Sequence, residues 1–172
     1  MIEFSKITVS RLILFYIPTI LLFISVLNEF DLNYIGLGFI SFNFPHILIF
    51  YWSLQRAESL GYGLIFIAGL FNDVVVGLPI GISSLSYLLI CVFASYLKYI
   101  TLRPSMTKDW VYFFITILIV NSFNYTILTL FFSINAELTY LFINIFFTFL
   151  FYIIFANIFK IYQKIALGSE YD

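Results

Sequence analysis

"GLFNDVVVGLPIG", Gly69 to Gly81, sets an acid, an amide, three glycines and a proline into a chain that is otherwise almost unbroken hydrocarbon. An aspartate in the hydrophobic zone of a bilayer costs about 2.5 to 3.5 kcal/mol at the centre and less near an interface, so it must point at protein and find donors. On a helix, Gly61, Gly69, Asp73 and Gly77 share one stripe, because residues four apart stack on the same face. Small residues on such a stripe let a second backbone come close, which predicts a helix contact face. Gly77, Leu78 and Pro79 then predict a tight turn, with Pro79 at the first position of the following helix, whose initial amides lack partners. The expectation is that the Asp73 carboxylate, with Asn72 beside it, caps that helix at Gly81, Ile82 and Ser83. The helix dipole favours such a charge by about 0.3 to 1 kcal/mol.

Working outward, the chain has 172 residues, of which 63% are hydrophobic and 10% charged. A soluble domain carries about 25% charged residues, and the mean hydropathy of +1.07 places this chain in lipid. A spanning helix needs roughly 17 to 25 apolar residues. Six runs qualify: 12–27, 35–54, 60–76, 78–97, 110–132 and 138–159. The expected fold is therefore all-α, a compact bundle of six transmembrane helices forming a single integral membrane domain over residues 1–172. The second run is interrupted by Asn43, Pro45 and His46, which predicts either one bent span or a turn leading into a short helix. The first run follows Lys6 and Arg11 as a signal peptide would, but Ser25 to Asn28 offers no A-x-A cleavage site, so it reads as a retained helix.

Charge supplies orientation. With six spans starting in the cytoplasm, the inner segments hold Lys6, Arg11, Arg56, Lys98, Arg103, Lys108, Lys160 and Lys164, which is every Lys and Arg in the chain. The outer loops, 28–34, the Gly77 turn and 133–137, hold none, as the positive-inside rule requires for cytoplasmic termini. Loops this short leave no room for an extramembrane catalytic domain. None of the other Asp and Glu residues falls inside a predicted run, so a proton relay through Asp73 lacks partners and a folding role takes precedence.

The remaining candidates read as structure. The single histidine, His46, predicts a neutral imidazole bonded to a backbone carbonyl, and alone it makes no metal site. Asn121, Asn124, Tyr125 and Thr129 form a polar seam on the fifth helix, and Asn144 with Thr148 repeats it on the sixth, so the two seams are expected to face each other. Ser83, Ser84 and Ser86 have no GxSxG elbow, Trp52 and Trp110 read as interface anchors, and Arg56 with Glu58 reads as a solvated loop. Cys91 is the only cysteine, and the scattered basic residues make no nucleic-acid footprint. No enzyme activity and no cofactor are expected.

At Gly69 to Leu97 the sequence resembles the rod shape-determining MreD family, whose pattern is Gly-Leu-x-x-Asp, a glycine, then Pro-Leu-Gly or Pro-Ile-Gly with small residues. Gly69, Leu70, Asp73, Gly77, Pro79, Gly81 and Ser84 match in order, and "PHILIFYWSLQR", Pro45 to Arg56, is similar to the family's second span. The resemblance rests on these two stretches. It implies a multi-pass scaffold of the bacterial inner (cytoplasmic) membrane in cell-wall elongation, without catalytic residues. Its implied partners are an MreC-like bitopic protein and, through it, MreB-like filaments and the wall glycosyltransferase and transpeptidase. A substrate-capture subunit of a vitamin-type uptake transporter is the alternative, since those are also six-span bundles. They show an Ala-x-x-x-Ala pattern in the first helix, and residues 12–27 contain no alanine.

Overall fold

The computed structural model describes residues 16–27, 41–56, 60–101, 105–133 and 137–167. These form six helices: α1 (Tyr16–Leu27), α2 (Phe44–Gln55), α3 (Tyr62–Val76), α4 (Ile82–Ile100), α5 (Met106–Phe132) and α6 (Leu138–Leu167). Expectations falling on 12–15, on the 28–34 loop, on 35–40 and on Lys6, Arg11, Glu58 and Arg103 lie outside the described residues. Three helices, over Ile82–Ile100, Met106–Phe132 and Leu138–Ile165, are long and apolar enough to cross a membrane, which is the character of a membrane protein. Only 22% of the most apolar stretch of α5, and the same share of α6, is buried. So much outward hydrocarbon suits acyl chains rather than water.

Helix α4 is the hub, packing against α2, α3 and α5, while α6 closes on α2 and α5. Of the second predicted run the structure describes residues 41–54, and the helix there begins at Phe44. Pro45 sits in the first turn of α2, where its missing N–H costs nothing. At 12 residues, α2 rises only about 18 Å, and it is buried continuously from Phe44 to Leu54. A helix apolar on every side belongs in a core, and here the core is aromatic. Phe50 lies 5.1 Å from Phe113, and Phe113 stacks on Tyr152 at 4.3 Å, tying α2, α5 and α6 together. Ser53 Oγ donates to Cys91 Sγ at 3.1 Å and links α2 to α4.

Several sequence expectations change in this frame. Trp52 is no interface anchor: it is fully buried against Phe159 and Tyr162. The His46 ring nitrogens, expected to bond a carbonyl, have no hydrogen-bond partner among the described residues, and the ring meets Tyr87 edge to face at 5.6 Å. The polar seams do not face each other. Asn124 Oδ1 accepts from Ser86 Oγ of α4 at 2.8 Å, and Asn121 turns back to the Ile117 carbonyl of its own helix at 2.9 Å. Asn144 and Thr148 instead hold the lead-in to α2: Asn144 donates to Ser41 Oγ at 2.8 Å, and Thr148 Oγ1 accepts from the Asn43 amide at 2.9 Å. Arg56 follows α2 directly, its amide closing the helix on the Trp52 carbonyl at 2.7 Å.

Candidate functional site: the hairpin between α3 and α4

The hairpin begins with a helix that has to stop. Gly77 adopts φ +74°, a left-handed conformation that costs glycine least. Its amide and that of Leu78 both reach back to the Asp73 carbonyl, Leu78 at 2.9 Å, which closes the last turn of α3. The chain then turns through Leu78, Pro79 and Ile80 to Gly81, which has φ +105° and precedes α4. Pro79 is therefore a turn residue and not the first residue of α4, which starts at Ile82 rather than at 78. The Pro79 carbonyl accepts from the Ile82 amide at 3.3 Å, a tight turn that a helix begun at Pro79 would not contain.

Gly81 has no side chain with which to cap α4, and the cap comes from the preceding helix. Asp73 Oδ2 accepts from the Gly81 amide at 2.7 Å, and Oδ1 accepts from the Ser83 amide at 2.8 Å. Asp73 is fully buried. Asn72 extends the clasp by donating from Nδ2 to Ser83 Oγ at 2.9 Å. One residue thus ends α3 with its carbonyl and starts α4 with its carboxylate. Such charge-assisted bonds to free amides at the positive end of a helix are short and strong. Both oxygens are engaged by backbone amides.

Below the clasp the two helices touch. A Cβ added at Gly69 would overlap the backbone N and Cα of Ser84, so only glycine permits this approach. Ser84 Oγ donates to the Phe66 carbonyl at 3.0 Å, which uses the crossing to satisfy the serine. The expected four-residue stripe narrows to Gly69 and Asp73: a Cβ at Gly61 or Gly77 would meet nothing within 4 Å. Gly77 is present for its backbone angle and not for contact. Outside the clasp, Val74 and Ile80 are 70% and 76% exposed, making an apolar tip.

Pro45 on α2, Arg56 just after it, and Asn121 and Asn124 on α5 stand apart from this site, and of these Asn124 reaches α4 through Ser86. Among the described residues no group of three His, Cys, Asp or Glu side chains could hold a metal ion. Sequence reading missed Asp109. Hydropathy starts the fifth run at Trp110, yet α5 begins a turn earlier, at Met106 after Ser105, so Asp109 lies inside the helix and is buried. A serine followed by an acid in the first turn is the helix-start signal that would have found it. No family model, no curated protein and no solved structure matches the chain.

Proposed function

We propose that the chain is a non-enzymatic, multi-pass scaffold of the bacterial inner membrane, an MreD-like protein serving cell-wall elongation and cell shape. The observation that carries this reading is the full engagement of the Asp73 carboxylate by two α4 amides, inside the stretch that bears the family pattern. A carboxylate used in this way builds a rigid hairpin rather than a relay. Its exposed tip, with Val74 and Ile80, then has a fixed shape. Lipid provides no hydrophobic drive between helices, so recognition there depends on close packing against a preformed surface. The partner in this reading is an MreC-like bitopic protein, with MreB-like filaments and the wall glycosyltransferase and transpeptidase joined through it. The basic ends of α4 and α6, with Lys98, Lys160 and Lys164, would face the cytoplasm.

Depletion from a rod-shaped host tests the function. Rounding of the cells is the expected result; unchanged shape with a new vitamin requirement would overturn it in favour of substrate capture. Co-purification with the bitopic partner tests the surface. Ile80→Ser changes an exposed turn residue and should weaken recovery of the partner, and unaltered recovery would place the contact elsewhere.

A further inference from the structure

At the end of the bundle away from the hairpin, α2, α5 and α6 enclose a cavity of about 520 Å³. That is the size of a small-molecule site. Its lining includes three aromatic residues, Tyr51, Trp110 and Tyr152, together with Asp109, Gln163 and Lys160. The rings are held from behind. Trp110 stacks on Phe149 at 4.3 Å and donates its indole N–H to the Phe149 carbonyl at 3.0 Å; Tyr152 stacks on Phe113 at 4.3 Å. The Tyr51 hydroxyl donates to Gln163 Oε1 at 3.4 Å, while Gln163 Nε2 is buried without a partner.

Asp109 is the anomaly. As a residue it is only 8% exposed, yet its oxygens are not among the sealed-off polar atoms without a partner, and no hydrogen bond from the described residues reaches them, so they open onto the cavity. A carboxylate that opens onto such a cavity without a counter-charge from the described residues attracts a cation, and aromatic faces around it favour one. The one cation among the described lining residues, Lys160, is exposed. Beside it the lining is apolar and open: Met106 and Ile153 are 37% and 40% exposed, and Ile153 belongs to the apolar outer surface of α6. The cavity therefore combines an acidic and aromatic part with an exposed lysine and exposed hydrocarbon.

We propose that this cavity holds the head group of a phospholipid bearing a primary ammonium. The ammonium donates to Asp109 among the three rings, the phosphate lies toward Lys160, and the acyl chains leave past Met106 and Ile153. A quaternary choline ammonium has no N–H to give the carboxylate, and a glycerol head group has no cation. Free phosphoethanolamine has the same polar chemistry and lacks the chains. The site lies apart from the hairpin, and its test does not depend on cell shape.

The full chain is placed in phosphatidylcholine nanodiscs doped with phosphatidylethanolamine, with its mono- and dimethyl derivatives, or with phosphatidylglycerol, and retained lipid is counted by native mass spectrometry. Phosphatidylethanolamine should be retained over phosphatidylcholine about tenfold, the scale of one charge-assisted hydrogen bond, with retention falling as N–H groups are methylated. Asp109→Asn should abolish the preference, and Lys160→Gln, at an exposed position, should weaken retention several-fold with helix content intact. The methylation series on the parent chain needs no variant to fold. Equal retention of ethanolamine and choline lipids, or a preference that survives Asp109→Asn, would overturn the site. Soluble phosphoethanolamine binding as tightly as the lipid would overturn the lipid as its source.

Discussion

Two aspartates are buried toward opposite ends of this bundle, and the protein treats them in opposite ways. Asp73 lies at the hairpin, where α4 presents free amides, and both of its oxygens receive backbone N–H groups within 2.8 Å. Asp109 lies in the first turn of its own helix, whose amides point along the axis, and no N–H or cation of the described residues comes to it. The first charge is consumed by the fold; the second is held open beside a cavity. Burial alone does not separate these roles. The donors within reach do, because an ion removed from water is stabilising only when its lone pairs are filled.

The sharpest way to break the comparison is to pull the clasp apart mechanically. Gly69→Leu drives a side chain into the Ser84 backbone and should cost about 3 kcal/mol or more, seen as a lower unfolding midpoint in mixed micelles. A variant as stable as the parent would mean that α3 and α4 do not cross there. Next, Asp73→Ala strands the Gly81 and Ser83 amides and should cost about 2 kcal/mol, with Asp73→Asn about half as damaging because one carbonyl oxygen remains. Asp109→Asn sharpens the contrast by its sign: in detergent without ethanolamine lipid it should leave the midpoint unchanged or raise it, since an unpaired charge is removed. A loss comparable to that of Asp73→Asn would erase the distinction between the two sites. The smallest effect belongs to Ser86→Ala, which removes the α4 to α5 bond to Asn124 and should cost about 0.6 kcal/mol.

What could be read in advance follows the range of the interactions. The stop at Gly77 and the Asp73 cap are written within about ten residues, so residue type and spacing alone point to them. The place of Pro79 is not legible in the same way, because proline suits a turn and a first helical position equally well, and only the left-handed Gly81 puts the start of α4 at Ile82. The partners of Asn144 and Thr148 are Ser41 and Asn43, about a hundred positions away, and nothing local marks them.

The amino-acid sequence by itself determined that the described chain is helical, that it belongs with lipid and that one hairpin is clasped by a carboxylate, because hydropathy, glycine backbone freedom and capping are local properties. Only the tertiary structure decided that α2 is a short core helix, that His46 and Trp52 are enclosed and that Asp109 faces a cavity. Helices that are apolar all round carry no stripe to say which side turns inward. Their neighbours are therefore chosen by shape, ring against ring and glycine against backbone, and that choice exists only once the helices have met.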